Sequence, residues 1–228
     1  MTATPPTSTG RWQRRKEARP GEILAAALDC FAEHGFAATR LEDVAQRAGV
    51  TKGTLYLYFA SKEELFKAVV REAIVAGIAR SEARIGDASE PAPQLLDYVL
   101  RGWAAQSETP GGAISKLMLA EAGNFPELAR FYLDEVVHRG RSLVRRVLNA
   151  GIARGEFRAV DVESAVTCVI APLILAMQWR HSFAQYDGLL DVEALCRAHL
   201  ELLCEGLVPR ERPRQAARPR RRKQRAAR

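Results

Sequence analysis

The sequence predicts an all-α protein on two observations. Apolar residues recur at intervals of three and four along most of the chain, and no stretch alternates apolar and polar residues convincingly. Hydrophobic residues form 47% of the 228 residues and charged residues 27%, which is typical of a soluble globular protein. Turn-forming residues separate the periodic segments, so the helices are delimited one at a time.

The first helix is expected to begin at Pro20, because proline is favoured in a first helical turn, and to end at Gly35. A flexible basic arm, residues 1–19, is expected to precede it. The apolar stripe of this helix consists of Ile23, Leu24, Ala27, Leu28 and Phe31.

A second, short helix is expected to begin at Thr39, because Thr39 and Glu42 have the spacing of a capping box. Gly49 ends this helix, and Thr51 is then placed to cap a third helix that runs to about Phe59. The inward-facing residues of the second helix are Leu41, Val44, Ala45 and Ala48.

Ser61 and Glu64 repeat the capping-box spacing and open a long fourth helix. Its apolar residues are Leu65, Phe66, Val69, Val70, Ala73 and Ile74. Further breaks then separate five helices, expected near residues 93–107, 113–123, 127–154, 161–183 and 191–206.

The last two of these helices are unusually apolar. The helix near 161–183 is apolar on nearly every side between Val166 and Met177, so it needs partners all round. The helix near 191–206 carries a stripe of Val192, Leu195, Leu202, Leu203 and Leu207. One small domain cannot easily cover both helices, which indicates a subunit interface.

The formal net charge of +7 is unevenly distributed. Residues 209–228 contain ten Lys and Arg against one Glu, and residues 1–20 contain five against one, so residues 21–208 carry a net charge of −6. A basic chain therefore does not by itself indicate DNA binding here. The Arg-rich segment 208–228 is expected to be a disordered tail; alternatively, it adds sequence-independent affinity for DNA.

Several classes of protein are not expected from the sequence. No apolar signal-peptide core follows the N-terminal basic residues, and the longest apolar stretch, Val169 to Met177, is shorter than the roughly 20 residues of a membrane span. The four cysteines have no CxxC or zinc spacing, so we expect reduced thiols and a cytoplasmic protein. Because no catalytic or phosphate-binding motif is found, we expect no enzymatic activity, no cofactor and no metal site.

The segment from Phe36 to Leu65 reads FAATRLEDVAQRAGVTKGTLYLYFASKEEL, which predicts two short helices joined by a tight turn at Gly49. This is the helix-turn-helix arrangement, whose second helix lies in the major groove of DNA with its N-terminal residues at base edges. The residues left for that surface or its edges are Thr51, Lys52, Gly53, Thr54, Tyr56 and Tyr58.

These residue types suit contact with DNA. Gly53 permits close approach of the backbone, and the short, hydroxyl-bearing side chains of Thr51 and Thr54 can reach phosphate or a thymine methyl group. Lys52 supplies positive charge, and the two tyrosine hydroxyls suit positioning on the DNA backbone. Lys62 combines a cation with the N-terminal end of the fourth helix, which predicts a phosphate contact.

The same stretch resembles the DNA-binding signature of the TetR/AcrR family of transcriptional regulators over about residues 20–66. The matching positions are Gly35-Phe36, Thr39, Asp43-Val44-Ala45, Ala48-Gly49-Val50, Thr51-Lys52-Gly53-Thr54-Leu55-Tyr56, Tyr58-Phe59 and Lys62-Glu63-Glu64-Leu65. The resemblance implies a homodimer, a recognition helix in the major groove and a C-terminal domain that often holds a small-molecule inducer. By the family pattern the DNA-contact role falls to Arg40, Thr51, Lys52, Thr54, Tyr56, Tyr58 and Lys62.

Aromatic and methionine residues of the C-terminal part are candidates for an inducer pocket, although residues at this helical spacing belong more often to an ordinary core. They are Trp103, Met118, Phe125, Tyr132, Met177, Trp179, His181 and Phe183. The run Trp179-Arg180-His181 is the most informative of them, because its polar groups could orient a ligand.

We therefore expect a helix-turn-helix domain at residues 20–66 and a ligand-sensing and dimerisation domain at residues 67–207. The expected function is a sequence-specific repressor that a small apolar or amphipathic inducer releases from operator DNA. Two alternatives stay open. One is a TetR-like activator or ligand-independent regulator, which a poorly formed cavity would favour; the other is a helical interaction protein or enzyme without DNA function.

Overall fold

The computed structural model describes residues 9–86, 89–184, 186 and 191–209, with side chains from Pro20 onward. These residues form helices and no strand, which confirms the all-α prediction. The helices are α1 (Thr9–Ala38), α2 (Leu41–Arg47), α3 (Lys52–Tyr58), α4 (Lys62–Val70), α5 (Ala76–Gly86), α6 (Ala92–Ser107), α7 (Pro110–Glu121), α8 (Pro126–Tyr132), α9 (Arg139–Ala153), α10 (Val162–Phe183) and α11 (Val192–Leu207).

Two π-helical segments each join two consecutive helices into one longer, continuous helical rod. Arg71–Val75 joins α4 to α5, and Leu133–His138 joins α8 to α9. The expected long fourth helix is therefore a continuous helical rod over residues 62–86, and the helix expected near 127–154 is a second rod over residues 126–153. The two π-helical segments lie against each other.

The first helix is longer than the sequence indicated. It begins at Thr9, and Pro20 lies inside it, so the predicted start at Pro20 is wrong and residues 9–19 of the expected flexible arm are helical. The residues before Pro20 are mostly good helix formers, which offsets the hydrogen bond that a proline removes. The backbone breaks as expected at Gly35, whose φ is 79°. Residues 1–8 of the arm and 210–228 of the tail lie outside the described residues.

Two of the three predicted helix caps are present. The Thr51 hydroxyl accepts the Thr54 N–H at 3.1 Å, and the Ser61 hydroxyl accepts the Glu64 N–H at 3.2 Å. The predicted capping box at Thr39 is wrong, because Thr39 is buried and its hydroxyl lies 2.6 Å from the carbonyl oxygen of Gly35. The unpaired carbonyls at the end of α1 attract the hydroxyl away from α2.

Two apolar cores organise the molecule. The first core belongs mainly to the head, residues 20–66, and it is centred on Phe31, Phe36 and Phe66, whose ring centroids lie 5.1–5.8 Å apart. This core also takes in residues of α7 and α8, so the head is packed directly onto the body, residues 67–207. The second core lies within the body, among α6, α9, α10 and α11.

Helix α10 has one covered and one uncovered apolar side. Val166, Val169 and Leu173 are buried in the second core, whereas Ile174 and Leu175 on the other side are exposed. By length and composition α10 could cross a membrane, and 22% of its most apolar 18-residue stretch is buried. A single helix of this kind is weak evidence for a membrane span. Helix α11 also exposes a large apolar side chain, because Leu202 is 69% exposed.

Candidate nucleic-acid interface

Helix α3 is a short, rigid helix held by its neighbours. Leu55 is fully buried and anchors α3 in the first core, and Thr51 caps its N-terminus. Gly49, at the turn between α2 and α3, has a φ of 65°, a left-handed conformation that favours glycine. The N–H of Val50 then donates to the carbonyl of Ala45 at 3.0 Å, which closes the turn.

The outer surface of α3 carries most of the residues that the sequence indicated for DNA contact. Thr51, Lys52 and Gly53 are exposed at its N-terminus, Thr54 is half-buried, and Tyr56 and Tyr58 are partly exposed along its length. These six residues therefore lie on one short helix that projects from the head, together with Arg40 at the start of α2.

Sequence reasoning missed one exposed residue of α3. Leu57 is 83% exposed, although an apolar side chain is normally interpreted as a core position. The sequence could have indicated this exposure, because two residues advance a helix by about 200°, which sets Leu57 on the side opposite Leu55. A buried Leu55 therefore already implies an outward-facing Leu57.

The exposed cations of the head are all engaged in ion pairs. These hydrogen-bonded pairs raise the pKa of each cation, most directly where Lys52 at the first position of α3 meets Glu42 of α2. Because these side chains are exposed, solvent screens the pairs and they contribute little to stability, so a DNA phosphate can compete for the cation. The pairs are Arg40 with Asp43, Arg47 with Glu33, and Lys52 with Glu42.

Lys62 does not have the environment expected for a phosphate contact. Its Nζ donates to the carbonyl oxygens of Phe36 at 2.8 Å, Ala37 at 3.1 Å and Thr39 at 3.1 Å, and it lies 4.6 Å from the centroid of the Phe36 ring. All three N–H groups of the ammonium are thus used inside the protein, because the end of α1 offers unpaired carbonyls. Lys62 therefore joins α4 to the end of α1 in this structure, and its contact with phosphate stays a prediction.

Three of the eight pocket candidates lie in the first core. Met118 and Tyr132 are buried, and Phe125 packs edge-on against Phe36 with ring centroids 4.7 Å apart. The Tyr132 hydroxyl pairs with the hydroxyl of Ser115 at 2.8 Å, and burial raises the pKa of Tyr132 to about 12. These side chains join the head to the body.

The other five candidates lie on α6 and α10. The Trp103 ring lies against the backbone of Gly140, and the rings of Trp179 and the half-exposed Phe183 lie 5.1 Å apart. The His181 ring bonds to the carbonyl oxygen of Ser107 at 2.8 Å. Trp103, Met177, Trp179 and His181 are half-buried.

The prediction of one pocket lined by these eight residues is not supported by this arrangement, because packing between head and body takes up three of them. Two open grooves of about 540 and 550 Å³ lie on the described surface, and among the eight only His181 lines one of them. Buried polar atoms without a hydrogen-bond partner occur next to His181, at Gln178 Oε1 and Trp179 Nε1. Such atoms are uncommon in proteins and mark a position where a polar group of a ligand could bind.

The cysteines are free thiols in four different places. Burial raises the pKa of the Cys30, Cys196 and Cys204 thiols, while Cys168 is exposed on α10. Among the residues described, no three His, Cys, Asp or Glu side chains come close enough to hold a metal ion.

Comparisons with known proteins cover both parts of the chain. Residues 23–69 match the sequence profile of the bacterial regulatory proteins of the tetR family, and residues 94–186 match a tetracyclin repressor-like C-terminal domain. The chain is 32% identical over 211 residues to the HTH-type transcriptional regulator RutR of Escherichia coli, covering 88% of this chain and 89% of that protein. It is 29% identical over 192 residues to the HTH-type transcriptional repressor KstR2 of Mycobacterium tuberculosis, covering 83% and 93%.

The fold is also found among solved structures. The transcriptional regulator FadR from Bacillus subtilis, solved in complex with stearoyl-CoA, superimposes with a TM-score of 0.69 at 25% identity. The match covers 82% of this chain and 98% of that one, so it includes the body as well as the head.

Proposed function

The chain belongs to the TetR family of bacterial regulatory proteins and is a DNA-binding transcriptional repressor, and we propose that it binds its operator as a homodimer through paired α3 helices. The observation that carries this proposal is the surface of α3. A capped helix with Leu55 buried on one side presents small, hydroxyl-bearing and basic residues on the other. That is the form of a helix that enters the major groove.

We assign the DNA contacts by position on this surface. Gly53 and the N-terminal end of α3 approach the base edges, and Thr51, Lys52 and Thr54 bind base edges or phosphates. Arg40 and the two tyrosines, Tyr56 and Tyr58, position the head on the DNA backbone. Lys62 acts indirectly, by holding α4 against the end of α1.

The homodimer is proposed to form through α10 and α11. Ile174, Leu175 and Leu202 expose large apolar side chains on these two helices, and a second copy of the chain offers the same surface in return. Dimerisation also gives the uncovered side of α10 a protein environment, which is consistent with a cytoplasmic protein at the chromosome.

A small apolar or amphipathic inducer is proposed to bind in the body. Two findings support this ligand class: FadR of Bacillus subtilis was solved with stearoyl-CoA, and the body of this chain has unpaired buried polar atoms at Gln178 and Trp179. A ligand that binds better to a conformer with separated α3 helices shifts the population toward it and lowers operator affinity. The rod of α4 and α5 carries the movement, since π-helical segments such as Arg71–Val75 are frequent at functional sites.

DNase footprinting on the DNA upstream of the protein's own gene tests the proposal. We expect one protected palindrome whose half-sites lie about 34–36 Å apart, or a multiple of that distance. Stearoyl-CoA, as a first probe, is expected to weaken the protection. A chain that protects no sequence in that region or in a random-sequence selection is not a sequence-specific repressor.

A ligand-independent regulator is the second candidate, because three of the eight predicted pocket residues are packed in the core between head and body. The two candidates differ in a titration of the bound operator fragment with a series of amphipathic ligands. Release of the fragment by any of them supports the inducible repressor. Tight binding of a ligand to the body with unchanged operator affinity supports the second candidate.

A further inference from the structure

We propose that Leu57 is a specificity-determining residue that reads the C5-methyl group of a thymine in the operator. The proposal rests on the function proposed above, since it requires α3 to enter the major groove. It adds a base identity to that function: a thymine, and therefore an A·T pair, at a defined position in each half-site.

The exposure of Leu57 exceeds that of the other large exposed hydrophobic side chains in the described residues, at 83%. Leu55, on the opposite side of the same helix, is fully buried and holds α3 in place. The leucine is thus carried outward on a helix that is fixed by its core contact and by the Thr51 cap. A rigid support of this kind lets a single side chain meet one base at a constant position.

The neighbours of Leu57 on the helix surface are small. Residues three and four positions earlier lie on the same side of a helix, and here they are Thr54 and Gly53. A Cβ atom built on Gly53 would meet only the Thr51 hydroxyl, at 3.8 Å, so the space around it is open. Leu57 therefore projects beyond its surroundings, as a side chain must in order to reach into a groove.

The chemistry of leucine selects the thymine methyl. The base edges in the major groove present hydrogen-bond donors, acceptors and one apolar group, the C5-methyl of thymine. Leucine has no polar atom and cannot read the donor and acceptor pattern, so the methyl is its favourable contact. A cytosine or uracil in the same place offers no such group, and the polar edge of any base would be desolvated without compensation.

Deoxyuridine substitution provides the test, because it removes only the methyl group from a thymine. The operator fragment found by footprinting is prepared as a series of duplexes, each with one symmetry-related pair of thymines replaced. For the wild-type protein we expect replacement of one thymine pair to lower the affinity by about fourfold per half-site. This is the change in affinity that corresponds to one methylene-sized apolar contact. For Leu57→Ala we expect weaker binding to the unmodified operator and no further loss from that substitution.

Leu119→Ala provides the matched control, because Leu119 is an exposed leucine on α7, outside the helix-turn-helix. This variant is expected to keep the wild-type pattern across the whole series. Circular dichroism and the dimer dissociation constant are measured for both variants, since both leucines lie outside the proposed dimer surface of α10 and α11 and their substitution should change neither. A Leu57→Ala variant that dissociates into monomers while keeping its deoxyuridine pattern would assign Leu57 to a protein contact and overturn the proposal.

Two further results would overturn it. The same deoxyuridine losses in wild type and Leu57→Ala would mean that another residue reads the methyl groups, and no loss in either would mean that no methyl is read. A wild-type protein that binds no sequence preferentially is a separate outcome, because it would refute the repressor function itself.

Discussion

Lys62 directs its ammonium group at three backbone carbonyls from the end of α1, and it lies over the ring of Phe36. A helix end with unpaired carbonyls is stabilised by a cation in this position. The same residue type at the start of a helix would equally suit a phosphate contact, so the two roles differ only in what lies within reach. In this structure the groups within reach of the ammonium are backbone carbonyls of the protein itself.

Lys62→Met is therefore expected to destabilise the head. The carbonyls of Phe36, Ala37 and Thr39 lose their donor, which lowers the free energy of unfolding by about 1–3 kcal/mol in urea denaturation. The salt dependence of DNA binding should keep its slope, because no phosphate contact is lost. Lys67→Met, which breaks only a surface pair with Glu64, is the control and should cost less than about 1 kcal/mol. A stable Lys62→Met protein with a flatter salt slope would reassign Lys62 to phosphate.

The ion pair of Glu42 with Lys52 restrains a cation at the first position of α3. Residues 21–65 contain four Lys and Arg against seven Asp and Glu, and all four cations are bonded to other groups of the protein. The head therefore approaches DNA as an acidic surface whose positive groups must first exchange their partners.

Glu42→Gln is expected to raise affinity for a random-sequence duplex at low salt. The substitution frees Lys52 and removes a carboxylate that repels phosphate, so the plot of log affinity against log salt should steepen by about one unit. Fluorescence anisotropy over a salt series measures both effects. Asp97→Asn changes the net charge equally but breaks a pair on α6, and it should leave the slope unchanged. An unchanged slope for Glu42→Gln would show that Lys52 does not meet phosphate.

At the scale of elements, the junction of α6, α7 and α10 depends on a close approach at Gly112. A Cβ atom there would lie 2.6 Å from His181 Nε2 and 2.6 Å from the carbonyl oxygen of Ser107. His181 Nε2 belongs to α10 and the Ser107 carbonyl oxygen to α6, and the two atoms are hydrogen-bonded to each other. The glycine thus allows a polar contact between two helices that lie beside α7.

Gly112→Ala is expected to lower the free energy of unfolding by about 1–3 kcal/mol, because backbone and ring must both move to admit the methyl group. Thermal and urea denaturation measure the effect. Gly102→Ala on α6 is the matched control, since a Cβ there meets nothing within 4 Å. That variant should gain up to about 1 kcal/mol from better helix propensity. Equal stability of the two variants would contradict the steric account.

The N-terminal part of α1 is the element expected to add positive charge to DNA binding. Residues 1–18 contain four Lys and Arg against one Glu, whereas the head is acidic. Deletion of residues 1–18 should weaken operator binding and flatten its salt dependence, because fewer phosphates are neutralised. Electrophoretic mobility shifts at several salt concentrations measure this. An unchanged slope would mean that the segment does not contact phosphate.

For the molecule as a whole, the first core is shared by head and body. It therefore connects DNA binding by the head with the proposed ligand binding by the body. Side chains of α7 and α8 complete the core that positions α3, so a rearrangement of the body is felt directly at the head. The continuous helical rod of α4 and α5 is one connection between head and body. The contact of Phe125 with Phe36 adds a second route, because it joins the turn before α8 to the end of α1.

Leu175→Arg is expected to abolish the dimer and, with it, operator binding. The side chain is 63% exposed on α10, and two copies lose their apolar contact in one symmetric interface. Burial of a leucine is worth about 1.5–3 kcal/mol, so the dissociation constant should rise at least about a hundredfold. Analytical ultracentrifugation measures the oligomeric state. Leu119→Arg on α7 should stay dimeric, and a dimeric Leu175→Arg would place the interface elsewhere.

Local chemistry accounts for the features that could be predicted. The caps at Thr51 and Ser61, the left-handed Gly49 and the apolar stripe through Ile23, Ala27 and Phe31 all involve residues within a few positions of one another. Such interactions depend on spacing along a helix, which the sequence contains directly. The helix-turn-helix and the all-α class follow from them.

The tertiary structure decided what depends on distant partners. Lys62 bonds to carbonyls that precede it by 23–26 residues, and Thr39 turns toward the end of α1 instead of capping α2. The dispersal of the eight pocket candidates has the same origin, because several fill the contact between head and body. A donor or an apolar ring binds whichever acceptor or surface the fold brings near, and only the packed chain specifies which one that is.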